Sequence, residues 1–122
     1  MVSREQALEM AQEWVEAFNS HDLDRIMSHY DEDVELTSPT AVRLLGDPSG
    51  TVRGKAALRA YFEKGLAAYP DLHFELRELF VGVDSVAVCF GNDRGVLVNE
   101  VMTLRVDGKV TRVLVLHAIG PE

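Results

Sequence analysis

"VNEVMTLRVDGKVTRVLVLHA", residues 98–118, alternates apolar and polar side chains on both sides of an Asp-Gly pair, the pattern of two strands joined by a tight turn. A type I′ turn needs positive φ at both central residues, which Asp107 and Gly108 tolerate. Counting outward with Val106 opposite Lys109 sets Glu100 opposite Val115 and Val98 opposite His117. Opposed side chains share a face. One face therefore carries Val98, Glu100, Met102, Leu104, Thr111, Val113, Val115 and His117. The other carries Asn99, Val101, Thr103, Arg105, Val110, Arg112, Leu114 and Leu116, and its two arginines mark it as the wetter side. On the first face Glu100 and His117 are diagonal neighbours, about 7–8 Å apart at the backbone.

A glutamate moved among apolar side chains loses its hydration, so either its pKa rises or it finds a hydrogen-bonding partner. An imidazole one diagonal away is such a partner, directly or through water. A desolvated carboxylate beside a histidine is also the equipment of proton-transfer chemistry. The two residues fit either a catalytic pair with Glu100 as base and His117 as partner or acid, or a structural pair that ties the sheet together.

Working outward, "HFELRELFVG" (73–82), "SVAVCFGN" (85–92) and "GVLVNEVMTLRV" (95–106) are strands separated by "GVD" and "NDRG", so the second half of the chain is an antiparallel meander. The first half is helical. Ser3 and Gln6 have capping-box spacing before Leu8, Ala11, Val15 and Phe18, which predicts a helix over roughly residues 4–19. Asp22 caps a second stripe of Leu23, Ile26, Met27 and Tyr30. "VELTSP" is a short strand stopped by Pro39; residues 40–54 read as loop, with one possible short element at "AVRLL". "KAALRAYFEKGLAAY" (55–69) is a third helix with Leu58, Tyr61, Phe62 and Leu66 on one face. The expected architecture is α+β, a single domain over 1–122 with three N-terminal helices on one face of a curved, mostly antiparallel sheet.

Composition narrows the function classes. The 122 residues include 12 basic and 20 acidic side chains, a formal charge of −8, which argues against nucleic acid or an anionic membrane as partner. The lone Cys89 rules out an intrachain disulfide and, sitting between Val88 and Phe90, reads as a packing residue. No apolar run approaches a signal peptide or a membrane span, and a soluble cytoplasmic protein is expected.

The order of elements, with "WVEAFNSHDLDRIMSHYDEDVELTSP" (14–39), "GKAALRAYF" (54–62), "YPDLHFEL" (69–76) and "VDGKV" (106–110), resembles the SnoaL-like branch of the nuclear transport factor 2-like superfamily over nearly the whole chain. The resemblance implies a cone, in which a bent sheet wraps three helices around a deep apolar pocket, and a homodimer formed through the outer face of the sheet. It does not imply one reaction, since the fold hosts isomerases, cyclases, hydrolases and non-catalytic modules. Against the ketosteroid isomerases of the superfamily, Trp14 stands where a tyrosine polarises the substrate oxygen, and Ser38 replaces the aspartate base before a proline. Their acid on the long strand matches Glu100, and the pocket position on the last strand matches His117. The Arg-x-Asp pair of the limonene-epoxide-hydrolase branch has no counterpart in "VAVCFGN". A cyclase-type reaction asks only for one acid-base group in an apolar cavity, which Glu100 with His117 satisfies.

The expected function is thus proton transfer on a small, mostly apolar carbonyl compound, or ligand binding without catalysis. The expected lining is Trp14, Phe18, Tyr30, Ser38, Tyr61, Phe62, Met102 and Val115; of the aromatics, Trp14 and Phe62 suit core filling better, and Tyr30 and Tyr61 suit the pocket better because a buried hydroxyl wants a polar partner. No cofactor is expected: "GDPSG" lacks the lysine and helix of a phosphate loop, and His29 with Asp33 has no third metal ligand. His21-Asp22 is accounted for by capping between two helices, and His73 by exposure at a strand start.

Overall fold

The computed structural model describes residues 1–120 and contains four helices and six strands. Helix α1 (Arg4–Ser20) begins at the expected capping box: Ser3 Oγ accepts from the Gln6 backbone N–H at 3.1 Å, and Gln6 Oε1 accepts from the Ser3 N–H at 2.9 Å. It ends on His21, the one described non-glycine residue with positive φ (60°), whose Nε2 lies 2.8 Å from the Leu72 carbonyl oxygen. Asp22 then caps α2 (Leu23–Met27), which is shorter than its apolar stripe suggested. Tyr30 does not continue that helix. It opens β1 (Tyr30–Thr37), where pairing with the last strand gives its backbone a ladder that a frayed helical turn lacks.

The acidic run Asp31-Glu32-Asp33 belongs to β1 despite poor strand propensity, and the Arg105 guanidinium pairs with Asp31 from across the sheet. Pro39 stops β1 as expected. It also starts a fourth helix, α3 (Pro39–Leu45), because a proline is well suited to the first helical turn when the preceding Ser38 side chain caps it, here by accepting from the Thr40 N–H at 3.2 Å. The segment expected to be mostly loop thus holds α3 and the short strand β2 (Thr51–Arg53), followed by α4 (Lys55–Ala68).

Strands β3 (Phe74–Val81), β4 (Ser85–Asn92), β5 (Leu97–Leu104) and β6 (Val110–His117) form the meander, and the six-stranded order is β2-β1-β6-β5-β4-β3. Every neighbouring pair is antiparallel except β1 with β6. Register breaks in β1–β6, β3–β4 and β5–β6 bend the sheet around the helices without closing it. The aromatic core fills the concave side: Phe74 and Phe90 ring centres lie 4.1 Å apart, with Trp14 5.7 and 5.5 Å from them. Asn19 locks the end of α1 onto this core, donating to the Phe74 carbonyl at 2.9 Å and accepting from the Phe74 N–H at 2.7 Å.

The hairpin shows the predicted pairs, Glu100 with Val115 and Val98 with His117, by a different route. Only Gly108 takes positive φ (88°), so the turn is not type I′. The Gly108 N–H donates to the Arg105 carbonyl at 2.9 Å and the Arg105 N–H to that of Lys109 at 2.8 Å, which makes a three-residue loop of Val106–Gly108. That shifts the pairing by one, to Leu104 with Val110. A bulge at Thr111 shifts it back, so Thr103 faces Arg112 and the register beyond is the one counted from the sequence. The bulge also turns Val110, assigned above to the outer face, fully into the core.

Candidate active site

Glu100 sits in the middle of β5 between Val88 of β4 and Val115 of β6, so the sheet fixes its backbone on both sides. Its side chain points to the concave face and is 8% exposed, one of two buried polar residues among those described; Ser38 is the other. Burial alone pushes its carboxyl up to about 8, because no compensating charge or donor accompanies the loss of water. Among the described residues no hydrogen bond joins Glu100 to His117 or to any other side chain.

His117 ends β6, half-buried, on the same wall. Its pKa is lowered by burial and then by the positive charges of Arg43 and Arg94, so the ring is neutral near pH 7. A cavity of about 100 Å³ runs between them, floored by Phe90, Val98 and Val115 of the sheet and roofed by Phe18 of α1 and Tyr61, Phe62 and Leu66 of α4. That is room for a single ring or its equivalent. Ser38, Tyr61 and Glu100 are the buried polar groups; Thr40, Tyr69, Asn92, Arg94 and His117 also line it, less deeply. Burial pushes the Tyr61 hydroxyl up to about 12 while the neighbouring Ser38 hydroxyl pulls it down, so it is a neutral donor at physiological pH.

Of the expected pocket residues, Phe18, Ser38, Tyr61, Phe62 and Val115 line the cavity with Glu100 and His117. Trp14, Tyr30 and Met102 do not. All three are at most 1% exposed and belong to the packed core behind the cavity. Trp14 is occupied there, its Nε1–H donating to Tyr30 Oη at 3.0 Å, and Tyr30 is kept from a ligand by its burial behind the cavity wall. Burial, and then the nearby Glu100, push the Tyr30 hydroxyl well above its usual range. His29 turns toward Glu13, with Nε2 3.7 Å from Oε1, and no group of three or more metal-ligating side chains converges among the described residues.

Sequence reasoning missed Tyr69, Asn92 and Arg94, which form the mouth. "NDRG" reads as a turn, and it is one: Asn92 Oδ1 accepts from the Arg94 and Val96 N–H groups at 3.0 and 2.9 Å. The signal was register: the "NDRG" turn lies at the same end of the meander as His117, opposite the Asp107-Gly108 turn.

A bent sheet wrapped on helices, with an ionisable residue desolvated in an apolar pocket, defines a cone of the nuclear transport factor 2-like class. The chain belongs to the SnoaL-like family: residues 11–113 match the model of the SnoaL-like domain. A SnoaL-like protein of unknown function from Burkholderia thailandensis is similar over 97% of this chain and 98% of its own, at 40% identity and a TM-score of 0.92. TerC co-crystallised with polyporic acid shares the fold at 23% identity and a TM-score of 0.75, over 93% of this chain and 92% of its own. So does SalBIII, an epoxide hydrolase/cyclase-like enzyme of pyran ring formation in the polyether salinomycin, at 23% identity and a TM-score of 0.73, over 98% and 95%. No functionally curated protein matches the sequence. No helix of the described chain is long and apolar enough to cross a membrane.

Proposed function

We propose that this protein is a proton-transfer enzyme of the isomerase or cyclase kind, acting on a small, mostly apolar carbonyl compound, with Glu100 as the base. The observation that carries this reading is a carboxyl with no hydrogen-bond partner at the wall of an open apolar cavity, where its proton is held up to about 8. No direct hydrogen bond ties Glu100 to His117, which leaves the carboxyl open to a ligand in the cavity. A base poised near the working pH combines a useful ionised fraction with a strong pull on the proton. Ionised Glu100 takes a proton from the carbon beside the carbonyl, and the electron pair moves onto the carbonyl oxygen. Tyr61 and neutral His117 are placed in the same cavity to donate to that oxygen. The proton returns from Glu100 to another carbon in an isomerisation, or to the product after ring closure in a cyclisation. A relative by fold named epoxide hydrolase/cyclase-like and another co-crystallised with polyporic acid support this class of substrate.

The test is deuterium exchange: incubation of enolisable cyclic ketones and β-diketones with the protein in D2O, read by NMR. Exchange with the wild type that disappears in Glu100→Gln, while binding is retained, is the expected result. Exchange retained in Glu100→Gln removes Glu100 as base, and binding with no exchange in either protein identifies a ligand-binding module.

The same reading includes a homodimer through the outer sheet. Leu114, Val101, Ala87 and Phe80 form one apolar row across β6, β5, β4 and β3, with Phe80 54% and Leu114 38% exposed. Val110, buried by the bulge, takes no part. Sedimentation velocity at micromolar concentration is expected to give a dimer that Leu114→Glu converts to monomer; a wild-type monomer contradicts it.

A further inference from the structure

The mouth of the cavity has a charge opposite to that of the protein. Arg43, on α3, donates from Nη2 to Tyr69 Oη at 2.9 Å, while the Arg94 guanidinium, from the β4–β5 loop, stacks on the face of the same ring at 4.0 Å. Tyr69 and Arg94 line the cavity, and Tyr69 holds Arg43, from a separate part of the chain, just outside that lining. Elsewhere in this acidic chain, Arg25, Arg53, Arg59, Arg77 and Arg105 each meet a carboxylate at 3.5 Å or closer. Arg43, like Arg4 and Arg112, has none within 4 Å among the described residues, and Arg94 has only Asp93, at 3.8 Å; of these four, Arg43 and Arg94 are the two gathered on one ring beside the cavity. Both cations act on the cavity: each lowers the His117 pKa, and Arg43 also lowers that of Tyr61. The one carboxyl lining the cavity, Glu100, keeps its proton at pH 7, so nothing inside offsets them.

We infer that this rim is an anion-recognition site and that the natural ligand is an acidic compound, its carboxylate or ionised enol held by Arg43 and Arg94 at the mouth and its apolar ring inserted toward Glu100. A guanidinium anchored by an aromatic ring loses little freedom on binding and presents its remaining N–H groups as a fork suited to a planar anion. In a protein of net charge −8 the two arginines also supply a local field that draws an anion against the overall repulsion. The inference rests on the cavity being the binding site, and not on any reaction occurring there.

Benzoate and benzamide, equal in shape and different in charge, are the probes, titrated calorimetrically at low and at moderate salt. Benzoate is expected to bind about tenfold more tightly than benzamide, with the advantage shrinking as salt is raised. Arg43→Gln and Arg94→Gln are each expected to weaken benzoate about tenfold and leave benzamide unchanged, the amide reporting that the pocket survives. Benzoate binding no tighter than benzamide, or indifferent to both substitutions, overturns the inference; so does the failure of both probes to bind at millimolar concentration. If a substitution weakens both probes alike, it has disturbed the pocket, and the wild-type comparison with its salt dependence decides. Charge-selective binding together with absent deuterium exchange would remove the proposed reaction and leave the anion site standing.

Discussion

Replacing Glu100 by glutamine is expected to stabilise the fold, and by more the higher the pH. The native carboxyl holds its proton up to about 8, against 4.5 for an ordinary glutamate. The folded state therefore binds this proton more tightly than the unfolded chain does, so the stabilisation it carries is full below about 4.5. It is lost as pH rises toward 8 and does not change further above that. Over the whole window the loss amounts to about 5 kcal/mol, of which about 3 is already felt at pH 7. Glutamine has nearly the shape of the protonated acid and does not titrate. Between pH 5.5 and 8.5 the wild type should lose about 3 kcal/mol relative to Glu100→Gln, a large share of a small domain's stability. Urea denaturation of both proteins at several pH values measures this, since every other ionisable group is common to the two curves. Parallel curves across that range would mean that the carboxyl is solvated and ionises normally, and the argument from burial would fail.

Two further substitutions probe the frame around the site. Tyr30→Phe leaves the buried Trp14 indole N–H without its acceptor and is expected to cost about 1–3 kcal/mol in a denaturant titration, with altered tryptophan fluorescence. Gly50→Ala is expected to destabilise by about 1–3 kcal/mol, read the same way, because a Cβ there would stand 2.7 Å from both the Ser38 carbonyl oxygen and Val42 Cγ2 at a φ of +60°.

The parts of the molecule that periodicity governs were legible before any coordinates. The capping box at Ser3, the face of α4, the alternation of β4 and β5 and that of β6 beyond Thr111 each depend on neighbours in sequence, and each formed as read. Where tertiary pairing decides, local signals misled. Tyr30 fits a helical stripe, yet parallel pairing with β6 takes it into a strand; Asp31-Glu32-Asp33 has little intrinsic reason to extend, yet Arg105 holds it. Pro39 is a strand breaker and a helix starter at once, and only the Ser38 cap shows which role follows.

The hairpin register was correct because a three-residue loop and a bulge at Thr111 offset each other, and the uncompensated residue between them, Val110, was the one placed on the wrong face. At the site, alternation brought Glu100 and His117 to one wall. It could not foresee that Trp14 and Tyr30 would satisfy each other behind it, nor that Arg43 and Arg94 would meet on Tyr69, since those contacts join residues far apart in the chain.

In the proposed reaction Glu100 works as an ionised base inside the cavity, and the pH profile of substrate deuterium exchange tests this most directly. With a proton held up to about 8, the exchange rate should rise about tenfold from pH 6 to pH 7, bend near 8 and level above it, and Glu100→Gln should abolish it at every pH. A rate that is already level by pH 6, or one that survives in Glu100→Gln with the same profile, would contradict that claim.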